Sequence, residues 1–234
     1  MGIPEDDGKV AGPSISGAEL QRIYANRFNA AEEYRNQVWR ILIDRWFQKH
    51  VGRDGVVLDL GCGYGQFINN VRCGRKYAMD LNPLARSRLN EDVTFLEQDS
   101  SSRWALPDAS LDLVFTSNFF EHLPSKGALL STLAEARRCL KEDGAIIALG
   151  PNIKYLGGSY WDFYDHCLPL TELSIQEAFC TSGFRIERVI DRFLPYTMVN
   201  ERQYSLHLVR AYLRLPLAWK VFGKQFLVMA IRTP

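Results

Sequence analysis

The sequence predicts an α/β fold built on a mostly parallel sheet. Along residues 56–190, short apolar runs alternate with stretches of helical periodicity, the pattern of strands joined by crossover connections. A glycine-rich turn directly follows the first strand, as in open sheets that bind nucleotides at the carboxyl ends of their strands. Hydrophobic residues make up 47% and charged residues 24% of the 234, as in an ordinary globular protein.

The N-terminal region is predicted to be a tail followed by helices. Residues 1–15 have no periodicity, whereas Ser16 and Glu19 form a capping-box pair and helical spacing then continues to about His50. The resulting division is a flexible tail (1–15) and a single domain (16–234). The domain divides further into a helical N-terminal extension (16–50), a cofactor-binding core (51–150), and a substrate lid with the C-terminal part of the sheet (151–234).

The elements of the core follow from the apolar patterning. Seven short runs are predicted as strands: Val56–Leu60, Tyr77–Asp80, Thr94–Glu97, Leu111–Thr116, Ala145–Leu149, Phe184–Ile190 and Gln225–Ile231. Helical spacing predicts a helix that begins at Gln66–Val71 and further helices over Leu129–Leu140 and Ser174–Thr181. The segment Gly150–Pro169 is rich in glycine, proline and aromatic residues, which predicts a long loop over the site.

Glycines and carboxylates cluster where the first strands end. Gly61, Gly63 and Gly65 come directly after the strand that contains Asp59, and glycine lets the backbone approach a ligand closely. Asp80 ends the second strand and Asp99 follows the third. An acidic side chain at the end of the second strand can accept hydrogen bonds from both ribose hydroxyls. The ordered set predicts a nucleoside-containing cofactor, although Asp80 or Asp99 taken alone fits an ordinary solvated loop acid better.

The sequence resembles the class I S-adenosylmethionine-dependent methyltransferases, in particular the type 11 group. The resemblance spans about residues 50–190 and is carried by Asp59-x-Gly-x-Gly-x-Gly65, by Leu111–Leu123, and by Leu140–Leu149. It implies S-adenosyl-L-methionine as cofactor and a Rossmann-like seven-stranded sheet with an antiparallel last strand and helices on both faces. It also implies that Asp80 holds the ribose and Asp99 the adenine. The cofactor-binding residues so implied are Asp59, Gly61, Cys62, Gly63, Gly65, Asp80, Leu81, Asp99, Ser100, Asn118 and Phe119.

Two histidines are candidates for a catalytic base. A hydroxyl or amine acceptor must lose a proton, and imidazole is well matched to that role near neutral pH. His122 follows the fourth strand, and His166 lies in the long loop beside Asp165. Either histidine could instead be structural, and an acceptor that is already nucleophilic needs no base. Three aromatic residues of the same loop, Tyr160, Trp161 and Tyr164, are predicted to bind substrate, or alternatively to pack the loop on the sheet. No metal is expected.

For the methyl acceptor and the partners, the sequence leaves several alternatives. The net charge of +1, and the absence of a Pro-Pro-aromatic motif at the fourth strand, disfavour nucleic acid. The first hypothesis is a hydroxyl of a sugar or lipid-linked glycan, and the second is a natural-product or quinone-type ring. A nicotinamide-dependent oxidoreductase and a catalytically inactive S-adenosylmethionine-binding protein remain alternatives.

Charge is unevenly distributed along the chain. Residues 185–234 carry 9 basic and 3 acidic groups. Within them, Arg202, Arg210, Arg214, Lys220 and Lys224 alternate with apolar residues, which fits either peripheral membrane contact or a solvated helix face. Five cysteines with no CxxC pair, and no basic-then-apolar start, predict reduced thiols and a cytoplasmic protein.

Overall fold

A single seven-stranded sheet forms the centre of the computed structural model, which describes residues 32–196 and 203–233. The strand order is β3-β2-β1-β4-β5-β7-β6, with β7 antiparallel to both of its neighbours and all other pairs parallel. The predicted architecture, including the antiparallel last strand, is therefore confirmed. The strands are β1 Val56–Leu60, β2 Arg75–Asp80, β3 Val93–Glu97, β4 Leu111–Ser117, β5 Leu140–Pro151, β6 Phe184–Leu194 and β7 Gln225–Arg232.

Alternation along the central strands supplies two separate cores. On β1, Leu58 packs in one buried cluster and Val57 in the other. On β4, Val114 faces the first cluster, and its neighbour Phe115 faces the second. Strands that are apolar on both faces require cover on both sides, which is why this sheet lies between two helical layers.

Helices cover each face. α1 is Glu32–Leu42 and continues as π and 3-10 turns to His50. The others are α2 Lys126–Cys139, α3 Ile153–Leu156, α4 Glu172–Thr181, α5 Leu206–Leu213 and α6 Pro216–Phe222, with 3-10 turns at Pro83–Arg88, Phe120–His122 and Gly157–Asp162. α2 and α4 contribute to the first core, and the stretch after α1 together with α5 and α6 contributes to the second.

Two predicted elements differ in the structure. Gln66–Val71 forms turns and not a helix. Asn70 explains part of this, because its side-chain amide donates to the Gln66 carbonyl, and an asparagine that binds the local backbone competes with helix formation. The Gly150–Pro169 loop contains the end of β5, α3 and a 3-10 turn. The predicted tail (1–15), the helix that starts at Ser16, and Arg202 lie outside the described residues.

The first helix is tied to the sheet by aromatic rings. Trp39 of α1 lies 5.9 Å from Phe115 of β4 and 6.3 Å from Phe67, measured between ring centroids. Phe67 and Phe115 stack on each other at 3.7 Å. Such pairs add about 0.5–1.5 kcal/mol each beyond the area they bury. Among the described residues, no helix is long and apolar enough to cross a membrane.

Candidate active site

The candidate site lies at the carboxyl ends of β1 and β4, where the strand order reverses. In open α/β sheets this switch point is where ligands bind, because the connections on its two sides diverge and leave a crevice. Here the crevice is an open cleft. Its walls come from the glycine loop after β1, the turn after β4, the 163–166 segment and α1.

The glycine loop has a backbone that few other residues would adopt. Gly61, Gly63 and Gly65 have φ of 68°, 52° and 71°, in the left-handed region that penalises a side chain. At Gly61 the constraint is doubled, because an added Cβ would lie 2.3 Å from the Phe119 ring. The Gly61 and Cys62 amides both donate to the Met79 carbonyl, at 2.9 and 3.1 Å, so the loop is fastened to β2.

Asp80 holds the glycine loop in place. One carboxylate oxygen accepts the Gly63 amide and the other accepts the Asn82 amide, each at 2.8 Å. A carboxylate oxygen has two lone pairs, so both oxygens keep the capacity to accept a further hydrogen bond. Burial raises the pKa of Asp80, although these two amides oppose the rise. Asp80 therefore links the loop to the end of β2 and can still accept hydroxyl donors.

Asp59 is buried beneath the same loop at 3% exposure. Burial raises its pKa to about 8; the Ile68 amide, which donates to it, acts in the opposite direction, and the charge of Asp80 adds to the rise. At neutral pH a carboxyl group with this pKa is mostly protonated, so Asp59 can donate as well as accept. Asp59 and the loop residues Gly61, Cys62 and Gly63 all line the cleft.

The adenine-side candidates lie along the same edge of the sheet. Asp99 is exposed and accepts both the amide and the hydroxyl of Ser101, at 2.8 Å each. The Ser100 hydroxyl instead bonds the Thr132 hydroxyl at 3.0 Å, so this side chain already has a partner within the protein. Leu81 is 47% exposed at the end of β2.

The turn after β4 places a strained asparagine at the cleft. Asn118 has φ of 50°, and its amide donates to the Leu149 carbonyl at 2.8 Å. Its side-chain amide donates to the Ser117 hydroxyl, while its buried Oδ1 accepts no hydrogen bond from the described residues. A non-glycine residue with positive φ costs about 1 kcal/mol or more and is typical of functional turns. Phe119, next in the chain, covers Gly61.

The two predicted histidines lie side by side. The His122 and His166 ring centroids are 5.0 Å apart, and both residues line the cleft. His122 Nδ1 lies 3.0 Å from the Asp165 carbonyl oxygen and 3.4 Å from its carboxylate. The segment that carries His166 is fixed by backbone bonds, because the amides of Cys167 and Leu168 both donate to the Glu121 carbonyl.

Glu121 completes the cluster and was missed by the sequence prediction. Its side chain is 1% exposed, and its Oε1 lies 3.9 Å from His122 Nε2. Burial raises the pKa of Glu121 to about 8, a hydrogen bond from its own backbone amide opposes the rise, and the negative charge of Asp165 adds to it. The cluster also contains three potential metal ligands. One carboxylate or imidazole atom from each of Glu121, His122 and His166 lies within 4.8 Å of the other two. The expectation that no metal binds stays a prediction.

The loop aromatics are placed differently from the prediction. Tyr160 is fully buried, with its hydroxyl donating to the Leu168 carbonyl and its ring against His166. Trp161 and Tyr164 are 51% and 91% exposed. None of the three lines the cleft; the loop aromatic that does so is Phe163, which stacks on His166 at 5.0 Å. Tyr160 therefore supports the histidine rather than facing a ligand.

The N-terminal helix supplies one wall of the cleft. Arg35 and Trp39 of α1 line it, and the Trp39 ring contacts Phe67 and Phe115. Their helical spacing of four residues puts both on one face. The sequence predicted only a helical N-terminal extension, and no motif singled out these two residues.

Taken together, the switch-point cleft, the glycine loop and the strand-end carboxylates define a cofactor-binding α/β protein with methyltransferase topology. Residues 58–148 match the family model described as "Methyltransferase domain" (type 11). Residues 58–148 are by this match a methyltransferase domain, and S-adenosylmethionine is the cofactor that the match and the similar solved structures imply.

Solved structures share the fold at low sequence identity. A S-adenosylmethionine-dependent methyltransferase from Archaeoglobus fulgidus superposes with a TM-score of 0.64 at 18% identity, over 86% of this chain and 97% of that one. One from Mesorhizobium loti gives 0.57 at 16% identity, over 79% and 94%. The [4+2]-cyclase SpnF gives 0.58 at 14% identity, over 85% and 80%. The fold therefore does not by itself determine the reaction.

One curated relative matches part of the sequence. A protein of Methanocaldococcus jannaschii is 32% identical over 128 residues, which is 53% of this chain and 52% of that protein. The match thus spans about half the length of the relative, and it assigns no acceptor.

Proposed function

We propose that this protein transfers the methyl group of S-adenosylmethionine to a hydroxyl of a small-molecule acceptor, a sugar or lipid-linked glycan in the first instance. One observation carries the proposal: two histidines and two acids lie together in the cleft that starts at the glycine loop. A hydroxyl acceptor needs a base near neutral pH, and His122 and His166 are the histidines of the described residues that line this cleft.

The residues present fit the cofactor. The positive-φ glycines form a concave loop, and Asp80 retains lone pairs toward the ribose side. Leu81, Asp99 and the Ser100 backbone would border the adenine. Asn118 and Phe119 would border the methyl-bearing end of the cofactor. The buried Oδ1 of Asn118, which accepts no hydrogen bond from the described residues, could accept one there. When bound, S-adenosylmethionine supplies an electrophilic methyl group on a sulfonium centre.

His122 is the better placed of the two histidines to accept the acceptor's proton. When its Nδ1 carries a hydrogen and donates to the Asp165 carbonyl, Nε2 is the basic nitrogen. Its side chain is 24% exposed, whereas His166 as a residue is only 6% exposed. His166, held between Phe163 and Tyr160, orients its neighbour and contributes to the same polar wall. Glu121, protonated at pH 7, adds no competing negative charge beside Nε2.

The walls of the cleft fit an acceptor that is both ring-shaped and polar. Trp39, Phe67 and Phe163 present aromatic surface, while Arg35 and Gln66 present hydrogen-bonding groups. Aromatic faces combined with amide and guanidinium donors suit a polyhydroxylated ring. A natural-product or quinone-type phenol is the second candidate, since it would use the aromatic walls but fewer of the polar groups. Cytoplasmic action on a small molecule, and not on nucleic acid, remains part of the proposal.

The first experiment measures ligand binding by thermal shift with S-adenosylmethionine, S-adenosylhomocysteine and NAD. Mass action predicts stabilisation by the two sulfur ligands and none by NAD. Asp80→Asn should abolish most of that shift, whereas Asp108→Asn, an exposed acid remote from the cleft, should leave it intact. An unchanged shift in Asp80→Asn would refute its ribose role.

The second experiment measures methyl incorporation into a panel of sugars, lipid-linked glycans and phenols at saturating cofactor. His122→Ala should lower kcat by about 10² to 10⁴ with the cofactor shift preserved, and His207→Ala, exposed on α5, serves as control. Unchanged kcat in His122→Ala would refute the base. If chelation abolishes turnover and a divalent metal restores it, the cluster acts through a metal and the imidazole-base proposal is wrong.

A further inference from the structure

The surface of α5 and α6 exposes an unusual concentration of apolar side chains. Of the twelve large hydrophobic residues that are exposed in the described parts of the chain, six lie in this short C-terminal stretch. Scattered single apolar residues are normal on a protein surface, but a cluster calls for an explanation. We call this cluster the C-terminal apolar surface; its members are Tyr204, Leu208, Leu215, Leu217, Val221 and Phe222.

The helices that carry this surface are held firmly from the other side. Leu213 and Trp219 are buried in the second core, and the Trp219 indole donates to the Tyr212 carbonyl at 2.9 Å. The Tyr212 hydroxyl in turn donates to the Phe193 carbonyl at 2.8 Å. The Arg192 guanidinium binds the carbonyls of Gly223 and Val221 and so fixes the end of α6.

Because α6 is fixed through Trp219, its outward side chains cannot turn into the core. Leu217 and Val221 are four residues apart and share one helix face, and they are 77% and 64% exposed. Among the described residues nothing covers these side chains, and a partner that covered them would recover the solvation free energy that their exposure costs.

The charge of the surface indicates which partner that is. Residues 203–233 contain no aspartate or glutamate, and Arg210, Arg214, Lys220 and Lys224 lie among the apolar residues. Apolar side chains interleaved with Arg and Lys are typical of helices that lie in the headgroup region of an anionic membrane. A second copy of this chain fits less well, because pairing the surface with itself would bring like charges together.

We propose that the C-terminal apolar surface docks this protein on an anionic membrane, with α5 and α6 lying in the plane of the headgroups. Leu217, Val221 and Phe222 enter the apolar boundary, and the arginines and lysines bind lipid phosphates. The contact is peripheral. The inference is independent of the proposed function, because the docking needs neither cofactor nor acceptor.

The test is flotation of the full chain with vesicles, in the absence of cofactor and acceptor. Vesicles of phosphatidylcholine with about one-quarter phosphatidylglycerol should bind the protein, and binding should weaken strongly when salt is raised to about 1 M. Pure phosphatidylcholine should bind it far less. Equal binding to both vesicle types, or binding to neither, would overturn the proposal.

Three variants separate the apolar and the charged contributions. Leu217→Ser combined with Phe222→Ser should lower vesicle partitioning at least about tenfold. Arg210→Gln, Arg214→Gln and Lys220→Gln together should lower it by about fivefold for each cation removed. The control carries Leu130→Ser and Leu173→Ser, two exposed leucines elsewhere, and should bind like the parent.

Urea unfolding first confirms that each variant is folded, so that lost binding reports the surface and not the fold. Two outcomes would then contradict docking of this surface on a membrane. A concentration-dependent dimer in sedimentation that Leu217→Ser with Phe222→Ser abolishes, without vesicle binding by the parent, would assign the surface to a second copy. Vesicle binding by the parent that the surface variants leave unchanged would assign it elsewhere.

Discussion

Replacing Glu121 with glutamine should change how the stability of this protein depends on pH. The Glu121 pKa is raised from 4.5 to about 8 by burial and the nearby Asp165. Between these two values the unfolded chain loses the proton and the folded chain keeps it. Stability is then complete below about pH 4.5 and falls as pH rises toward 8. Glutamine keeps the shape and cannot ionise, so this contribution disappears.

The size of the change in stability follows from the one proton that the folded chain keeps and the unfolded chain loses over that pH interval. A full difference of one proton changes the free energy of unfolding by about 1.36 kcal/mol per pH unit. From pH 5.5 to 7.5, with partial ionisation at both ends, Glu121 should contribute a fall of about 2.5 kcal/mol. The free energy of unfolding of the variant should therefore fall less over this pH range, by that amount. Asp59 contributes equally to both proteins and does not affect the difference.

The assay is urea unfolding at several pH values between 5.5 and 7.5 for the parent and Glu121→Gln. Glu142→Gln, which removes an exposed carboxylate, is the matched control and should keep the parent slope. Parallel curves for the parent and Glu121→Gln would mean that Glu121 is ionised in the folded state, and the burial reasoning would be wrong.

Three other outcomes follow from the same geometry. Gly61→Ala should destabilise the protein by about 1–2 kcal/mol or more and abolish the S-adenosylmethionine thermal shift. The reason is that Gly61 has a left-handed φ and an added Cβ would clash with Phe119. Gly158→Ala, with open space around the added Cβ, should do neither. Arg138→Met should lower the urea-derived stability by about 3 kcal/mol, because this guanidinium binds Glu135 and the loop carbonyls of residues 104 and 106; parent-like unfolding would contradict that role. Chelation should leave methyl transfer unchanged, and a loss of turnover that zinc or manganese repairs would show the opposite.

The sheet could be predicted closely because its signals are local. Val56–Leu60 is apolar except for Asp59, and Leu111–Phe115 is apolar except for Asp112, so each strand presents apolar side chains on both faces. The cofactor edge followed from the same runs, since the carboxyl ends of parallel strands share one edge. This is why Asp80 and Asp99 could be placed together from the sequence.

The rest depends on contacts that no local pattern encodes. The turns after the glycine loop replace a helix because Asn69 and Asn70 bind distant groups, among them the Arg88 carbonyl and the Asn36 side chain. Glu121 stood inside a motif that was already recognised, yet its burial arises only when the 163–168 segment folds over it. Tyr160 shows the converse: an aromatic residue in a loop became part of the core.

The contribution of α1 to the cleft combines two roles in one side chain. In this chain, Trp39 both contacts Phe115 of the sheet and lines the cleft. A substitution there that widens the cleft also removes ring contacts from the second core. Engineered changes in selectivity at this helix will therefore carry a measurable loss of folding free energy, and compensating substitutions are best sought around Phe47 and Phe67, whose rings share the same packing.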